Sequence, residues 1–317
     1  MQVLILSARR GWHTDELCRA LSARGHQPRV DAYESLVAAI GRRQQVEADL
    51  QVGPSASGAR FSAFTADAIL ARIIPNGSLE QIIYRIDALH WIEDRGIPVI
   101  NSARAIERSV DKFYTTALLQ QAGLPVPETV VCERADDAMA AIRRFLGDGG
   151  EVIIKPIFGS MGHGLVRIAD AELAWRVVRP LEQMRSVFYV QRAIDHGGRD
   201  VRLFVAGDQV LGAIERTAAA GDWRTNMARG AVARPIDVPA EWRDYALRAA
   251  RAVGADYAGV DLLQSPAGDA FVLEVNGIPG WEGLQAATGI DVAAAIVEQV
   301  EARVAARRDL AVESVNA

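Results

Sequence analysis

The chain has 317 residues, of which 50% are hydrophobic and 24% are charged; this composition is that of a folded protein with a sizeable core and excludes a disordered chain. The formal net charge of −5 argues against general nucleic-acid binding. No run of 18 apolar residues occurs, and Cys18 and Cys132 are too few for a disulfide framework or a zinc site. We therefore expect a cytoplasmic protein with no nucleic-acid partner and no membrane partner.

The first hundred residues alternate strand and helix signals. Strands are predicted at Val3–Leu6, Pro28–Asp31, Ala68–Ile74 and Ile97–Ile100. Helices are predicted from Thr14 or Asp15 to Gly25, over 34–48, and from the capping residue Ser78 to Gly96. This βαβα order predicts an α/β domain over residues 1–100, built on a small doubly wound parallel sheet.

Residues 101–190 are predicted to form an α+β lobe. Its helices are predicted at Ser102–Gln121, Ala135–Leu146 and Asp170–Met184. Its strands are predicted near Val130 and at Glu151–Pro156, Leu165–Ile168 and Val187–Arg192. The glycine-rich segment Gly159–Gly164 is expected to be a flexible loop between two of these strands.

Residues 191–310 carry antiparallel signals and are predicted to form a second α+β lobe, followed by a tail over 311–317. Strands are predicted at Asp200–Ala206, Gln209–Arg216, Tyr257–Gln264 and Ala270–Asn276, the first two joined as a hairpin. Helices are predicted at Glu241–Val253 and Ile290–Arg308, and loops over 218–230 and Gly277–Gly289.

Three oxygen-bearing side chains lie close together in the predicted last sheet. Glu274 and Asn276 are two residues apart on one strand and therefore project from one face, and antiparallel pairing places Asp261 beside them. Sheltered carboxylates repel each other unless a cation joins them, and hard oxygen ligands suit Mg²⁺. The trio predicts a magnesium site; the alternative is a solvated sheet face with incidental charges.

Lysine is rare in this chain: of 35 basic residues, all but Lys112 and Lys155 are arginine. Lys155 ends a predicted buried strand just before the glycine loop, and Lys112 stands at a helix start. Free N–H groups of glycine loops and helix starts bind phosphate, as do ammonium groups. The two lysines therefore predict a phosphate site, with exposed surface lysines and a plain turn as the alternative. The loop lacks the Gly-Lys-Ser/Thr sequence of a P-loop.

A set of arginines in the last third predicts an anion-binding cleft. Arg202 and Arg216 lie on the two hairpin strands, while Arg224 and Arg229 bracket Asn226 in the polar loop. Converging guanidinium groups stabilise a transferring phosphoryl group or hold a substrate carboxylate. The alternative is that these arginines pair with neighbouring acidic residues on the surface.

In order along the chain, these motifs resemble an ATP-grasp enzyme of the RimK-like α-L-glutamate ligase family. The resemblance is close from about residue 100 to 305, and residues 1–95 match in pattern only. The matching stretches are Asp111–Lys112, Ile153–Pro156 with Gly159–Gly164, Arg199–Arg202, Ile214–Arg216, Gly221–Asn226, Ala258–Asp261, Leu273–Gly277, Pro279–Gly283 and Thr288–Asp291. The resemblance implies an ATP-grasp fold, in which a parallel-sheet first lobe precedes two α+β lobes that clamp ATP.

The resemblance also implies roles for individual residues. Nucleotide phosphates would be bound by Lys112, Lys155, Gly159, Ser160, Met161 and Gly162, with Arg224, Thr225 and Asn226 lining the phosphate and substrate cleft. Adenine would contact the backbone of Val190, Gln191, Arg192 and Ala193, and the ribose would contact Asp200. Asp261, Glu274 and Asn276 would bind two Mg²⁺ ions, or Mn²⁺. The catalytic cations would be Arg202 at the γ-phosphate, Arg216 and Arg229.

The implied reaction is an ATP-dependent ligation that forms an amide through an acyl phosphate and releases ADP. The expected partners are L-glutamate and a carboxylate acceptor, which is a small pterin- or furan-type coenzyme or a peptide. The alternatives are the C-terminus of a ribosomal or carrier protein as the acceptor, or an ATP-binding regulatory protein without turnover. A homo-oligomer, dimer or tetramer, is expected. Arg9, Arg10 and Arg72 are candidates for docking the acceptor at the first lobe.

Overall fold

The computed structural model of the protein describes residues 1–41, 49–53, 60–159 and 163–315. The first lobe contains a four-stranded parallel sheet in the order β2-β1-β6-β7. Its strands are β1 (Gln2–Ser7), β2 (Gln27–Ala32), β6 (Ala68–Ala71) and β7 (Val99–Ile100), with β3 (Val37–Ala39), β4 (Asp49–Val52) and β5 (Phe61–Ser62) forming a small antiparallel sheet beside it. The predicted parallel sheet is confirmed.

Helices cover both faces of the parallel sheet because β1 is apolar on both sides. Val3 and Ile5 pack against α1 (Trp12–Ala23) and the long last helix, and Leu4 and Leu6 pack against α2 (Leu79–Asp94). The predicted Ser78 cap is confirmed, since its side chain accepts a hydrogen bond from the Gln81 N–H.

The helix predicted over 34–48 is wrong in its described part. Tyr33–Ser35 forms a single 3₁₀ turn, and Val37–Ala39 pairs with β4 instead of continuing a helix. Only Tyr33 and Leu36 of this stretch bury large side chains, so an amphipathic stripe long enough to hold a helix on the core is lacking. Residues 42–48 lie outside the described part of the chain.

The central lobe is an antiparallel sheet in the order β10-β9-β11-β8 with helices against it. Its strands are β8 (Thr129–Cys132), β9 (Val152–Lys155), β10 (Val166–Ile168) and β11 (Phe188–Arg192). Its helices are α5 (Ala135–Gly147) and α6 (Ala171–Gln183), preceded in the chain by α3 (Ala103–Val110) and α4 (Lys112–Gln121). The single helix predicted over Ser102–Gln121 is wrong, because Asp111 leaves helical geometry and caps α4 by accepting the Tyr114 N–H.

The last lobe is a five-stranded antiparallel sheet in the order β14-β13-β12-β15-β16. Its strands are β12 (Arg199–Ala206), β13 (Gln209–Thr217), β14 (Val232–Pro235), β15 (Tyr257–Gln264) and β16 (Ala270–Asn276). Its helices are α7 (Ala240–Val253), α8 (Glu282–Thr288) and α9 (Val292–Val315). The predicted hairpin of β12 and β13 is confirmed. No helix in the described ranges is long and apolar enough to cross a membrane.

Two elements of the last lobe escaped sequence prediction. The exposed edge strand β14 is only four residues long and ends in a proline. Helix α8 falls in a segment predicted as a loop because Pro279, Gly280 and Gly283 are turn signals, yet its Leu284 is buried in the core.

Asn101 joins the first lobe to the last sheet and is fully buried. Its side-chain Nδ2 donates to the carbonyls of Tyr257 and Gly277 at 2.8 and 2.5 Å, and its Oδ1 accepts from the N–H groups of Asp256 and Tyr257. The amide therefore satisfies backbone groups at the start of β15, before Asp261, and just after the end of β16, beyond Glu274.

We predict that Asn101→Ala lowers the free energy of unfolding by about 2–4 kcal/mol, because it leaves buried backbone groups without partners. Urea denaturation of the full chain measures the change. Gln120→Ala, on an exposed helix position, is the control and should change stability by less than about 0.5 kcal/mol. An Asn101→Ala variant as stable as this control would contradict the assigned role.

Candidate active site

Strand register places the predicted acidic residues and an arginine in one row across the last sheet. Asp261 on β15 is directly opposite Glu274 on β16 and Arg202 on β12. Directly paired residues of antiparallel strands project from the same face. The three charged side chains therefore meet on one face of the sheet, as the sequence spacing predicted for the two acids.

Asp261 is the centre of a buried ion-pair network. Arg202 binds it in a bidentate way, with Nε–Oδ1 and Nη2–Oδ2 distances of 2.6 and 2.7 Å. Arg216 reaches its Oδ2 at 2.8 Å and also pairs with the buried Asp200. Burial alone would raise the pKa of Asp261, but the two guanidinium groups hold it well below its usual value. Asp261 is therefore a carboxylate at all ordinary pH values.

Glu274 faces the open part of the cleft. Its Oε1 lies 4.0 Å from Arg202 Nη2, and 39% of its side chain is exposed. Burial and the neighbouring Asp261 raise its pKa, while Arg202, Lys155 and Lys112 oppose that shift. Asn276 follows on the same strand, with its Oδ1 accepting the Ile278 N–H at 2.9 Å. The site thus presents a carboxylate that favours a nearby positive charge.

The two lysines face this acidic row from the central lobe. Lys155, at the end of β9, places Nζ 2.6 Å from Gln191 Oε1, and Lys112 Nζ donates to the Gly159 carbonyl at 2.7 Å. Burial lowers the pKa of both lysines, that of Lys155 to about 8, and Glu274 opposes the shift in each case. Both ammonium groups therefore lie close enough to Glu274 for its negative charge to favour their protonated forms.

The polar loop after β13 is tied to the ion-pair network. Asp222 accepts hydrogen bonds from the Nε atoms of Arg224 and Arg229 at 2.9 and 2.8 Å, and these bonds lower its pKa. The hydroxyl of Thr225, which is buried, donates to Asp200 Oδ2 at 2.6 Å. The loop therefore carries two guanidinium groups for a single carboxylate.

Several other groups that were predicted to contact the nucleotide are already hydrogen-bonded within the protein. Asp200 is 4% exposed and turned toward Arg216 and Thr225, so the geometry gives no support to its predicted contact with ribose. The N–H groups of Arg192 and Ala193 donate to the carbonyls of Glu128 and Glu151 and are not free for adenine. Those roles stay predictions.

The glycine loop is described only in part. Gly159 has a φ of 157°, and a Cβ there would lie 3.2 Å from Pro156 Cγ, which explains the need for glycine. Ser160, Met161 and Gly162 lie outside the described residues.

Sequence reasoning missed the side chains that surround Lys155. Gln191 entered the prediction only through its backbone, yet its amide binds Lys155 and also donates to the hydroxyls of Thr129 and Tyr189. Tyr189 lies directly opposite Lys155 in the sheet and also bonds Thr116. The pairing of β9 with β11 would have revealed this contact, but sequence alone does not give the register.

Residues 109–300 match the model of the RimK-like ATP-grasp domain. A probable alpha-L-glutamate ligase of Vibrio cholerae serotype O1 is 32% identical over 311 residues, which cover 97% of this chain and 98% of the relative. This chain belongs to the RimK-like ATP-grasp family. The predicted family is confirmed, and the protein is an ATP-dependent ligase that forms carbon–nitrogen bonds.

Further relatives agree with this assignment. The RimK-like protein is 34% identical over 262 residues to the tetrahydromethanopterin:alpha-L-glutamate ligase of Methanosarcina acetivorans, covering 74% of this chain and 80% of that one. The solved ATP-grasp ligase PsnB, complexed with minimal precursor, Mg and ADP, superposes with a TM-score of 0.69 at 23% identity and covers 95% of this chain and 98% of that chain. That likeness confirms the predicted ATP-grasp fold.

The acidic face of this RimK-like protein fits Mg²⁺ by its chemistry. Asp261, Glu274 and Asn276 offer oxygen donors, which Mg²⁺ prefers, and Glu274 is open to the cleft. Among the described residues no three His, Cys, Asp or Glu side chains form a metal cluster, because one of the three predicted ligands is an amide. Asp261 would have to exchange an arginine for the metal.

We predict that Lys155 titrates near pH 8 in the nucleotide-free protein, where burial lowers its pKa. With only two lysines, a sample labelled with ¹³Cε-lysine gives one NMR signal for each side chain. Glu274→Gln should lower both midpoints, since it removes a negative charge that favours each ammonium group.

Because an unfolded lysine titrates near pH 10.4, Lys155 should also make the free energy of unfolding rise with pH between about 8 and 10.4.

The control for this titration is Glu172→Gln, on an exposed position of α6, which should leave both midpoints unchanged. A Lys155 midpoint at the value of a free lysine would show that the side chain is solvated rather than buried in the cleft.

Proposed function

We propose that this ligase joins L-glutamate to a carboxylate of a small coenzyme, of the pterin or furan type, or of a peptide. The observation that carries the proposal is that two ammonium groups, Lys155 at the end of β9 and Lys112 at the start of α4, lie within electrostatic reach of Glu274, whose charge opposes the lowering of the pKa of each by burial. Such a site binds a polyphosphate on one side and a phosphate-bound cation on the other. The name of the Methanosarcina relative supports a pterin coenzyme as the acceptor.

In the first step an oxygen of the acceptor carboxylate attacks the γ-phosphorus of ATP, the bond to the β,γ-bridging oxygen breaks, and ADP leaves. Lys155 and Lys112 would hold the phosphates, with Gly159, Ser160, Met161 and Gly162 covering them. Arg202 would turn from Asp261 toward the γ-phosphate and offset the charge that spreads over its oxygens. The product is an acyl phosphate, which activates the carboxylate for amide formation.

Asp261, Glu274 and Asn276 would hold Mg²⁺, with two ions expected and Mn²⁺ as a substitute. When bound, the metal supplies positive charge that neutralises the β- and γ-phosphate oxygens. Asp200 would act through Arg216, which it holds against Asp261 in the ion-pair network.

In the second step the glutamate amine attacks the acyl carbon, the bond to the phosphate oxygen breaks, and the amine loses a proton as the amide forms. Arg216, Arg224, Asn226 and Arg229 would line the space for phosphate and substrate carboxylates. Arg224 and Arg229 share the single negative charge of Asp222. One positive charge of the pair is therefore left to bind a substrate anion. The predicted adenine contacts of Gln191, Arg192 and Ala193 would have to use backbone groups other than the N–H groups of Arg192 and Ala193, which already donate to Glu128 and Glu151.

The regulatory alternative, nucleotide binding without turnover, is disfavoured by the charged and oxygen-bearing side chains of the cleft. Both lysines and all three oxygen donors are in place, and a site that only bound ATP would not need the charged loop after β13. We expect the working protein to be a dimer or tetramer.

We predict that repeated turnover, measured as steady-state ADP release, requires ATP, L-glutamate and a suitable acceptor together, because the acyl phosphate of the first step must be consumed by the amine before the next cycle. The acceptor panel is tetrahydrofolate as a pterin, a furan carboxylate and a peptide ending in glutamate. Lys155→Ala and Glu274→Ala should each lower turnover at least about 100-fold, because each removes a charge opposite the transferring phosphoryl group.

Arg134→Ala, on an exposed position of the central lobe, is the matched control and should keep full turnover, and circular dichroism should show every variant folded at the assay temperature. ATP binding without ADP release on any acceptor would favour the regulatory protein. Near-normal turnover of either cleft variant would remove that residue from its proposed role.

A further inference from the structure

A pocket of about 320 Å³ opens at the carboxyl ends of β1 and β2, beside helix α1. One wall is formed by Ser7 at the end of β1 and by Arg9 and Arg10 just after it, and Cys18 lines the pocket from α1. The lining continues along β2 with Pro28, Val30, Asp31 and Ala32. Ligands of open α/β sheets bind outside the carboxyl ends of the strands, and a volume near 300 Å³ suits a small molecule. The pocket has no part in the nucleotide site described above.

The charges around this pocket are unbalanced. Arg10 pairs with Asp15 at 2.7 Å and Asp31 pairs with Arg29 at 2.5 Å, so both carboxylates are already neutralised. Arg9 has no ion-pair partner within 4 Å among the residues that the structure describes. A free guanidinium group at the mouth of a pocket favours an anion.

A second arginine whose described contacts include no carboxylate lies on the same edge of the sheet, with its guanidinium carbon 4.7 Å from the ring centroid of Trp281. Arg72 follows β6, is 1% exposed, and binds two neutral oxygens, Tyr257 Oη at 2.9 Å and the Pro279 carbonyl at 3.0 Å. Its Nε has no hydrogen-bond partner in the described structure. A buried cation without a carboxylate adds positive potential to this edge, and the pKa of His13 is lowered to about 4 by burial and by Arg72.

The pocket is joined to the active site through the first turn of α1. His13 Nε2 accepts the Trp281 N–H at 3.1 Å, and Trp281 follows Asn276 by five residues. Pro279, between them, packs against Gly259 beside Arg202, since a Cβ on Gly259 would lie 3.1 Å from Pro279 and 3.4 Å from Arg202 Nε. The helix that walls the pocket therefore contacts the segment leading out of the metal-binding strand.

We propose that this pocket binds an anionic group, carboxylate or phosphate, of the acceptor and so orients the acceptor toward the cleft. The inference rests on the proposed ligase function. Arg9 and Arg10 would contact the anion, and Asp31 would accept a hydrogen bond from a neighbouring N–H or O–H of the same molecule. An acceptor without this anionic group would bind more weakly.

Cys18 allows the pocket to be probed directly. In a Cys132→Ser background it is the sole cysteine, and its half-buried thiol lines the pocket. The alkylation rates of negatively charged iodoacetate and neutral iodoacetamide are compared by mass spectrometry. We expect Arg9→Ala to lower the iodoacetate-to-iodoacetamide rate ratio at least about threefold, and Arg134→Ala to leave it unchanged. An equal ratio in wild type and Arg9→Ala overturns the anion site.

Protection experiments then identify the anion and test the acceptor role. Citrate and pyrophosphate are added separately during alkylation, so that protection by one alone distinguishes a carboxylate from a phosphate site, and protection by neither overturns the proposal. Any panel compound that supports ADP release should slow alkylation of Cys18, and its KM should rise at least about tenfold in Arg9→Ala while the KM of ATP changes less than twofold.

These experiments distinguish a failure of the pocket's acceptor role from a failure of the ligase function. Turnover with an acceptor that neither protects Cys18 nor responds to Arg9→Ala overturns the acceptor role and leaves the ligase function standing. Absence of ADP release in the wild type overturns the ligase function and the acceptor role together, and the iodoacetate ratio still decides whether the pocket binds anions.

Discussion

The bidentate contact between Arg202 and Asp261 sets the geometry of the cleft. It joins two neighbouring strands on the exposed face of the last sheet, and Arg216 extends it to Asp200 and through Thr225 to the polar loop. Removing one partner of such a buried network leaves an uncompensated charge, which is strongly destabilising. The network therefore fixes Arg202, Arg216 and the carboxylate of Asp261 in one arrangement.

The two sides of the cleft carry opposite charges that are both desolvated. Burial lowers the pKa of Lys155 and raises that of Glu274, so burial disfavours the ionised form of each. Under the proposed function, a triphosphate beside the lysines and a divalent cation beside the carboxylates would each supply a counter-charge. The binding of nucleotide and metal would then be mutually favourable.

Periodicity and spacing predicted most of what depends on local sequence. The parallel sheet followed from the alternation of strand and helix signals, the hairpin from two strand signals around a short turn, and the shared face of Asp261 and Glu274 from antiparallel pairing of neighbouring strands. Features set by tertiary pairing were missed: β14 forms because β13 offers it an edge, and Gln191 meets Lys155 through strand register. The ribose contact that the family resemblance implies for Asp200 stays a prediction, while the fold pairs its buried carboxylate with Arg216.

The structure gives a physical reason why lysine is kept at positions 112 and 155. Lys155 extends between the amide of Gln191 and the ring of Tyr189, whose centroid lies 5.8 Å from Nζ, and Lys112 donates to the carbonyl of Gly159. A guanidinium group is a wide plane that needs several acceptors in its own plane, whereas an ammonium is a compact charge on a thin stem. The wider side chain of an arginine at position 155 would have to displace Gln191 or Tyr189. A chain that uses arginine almost everywhere else therefore keeps lysine there.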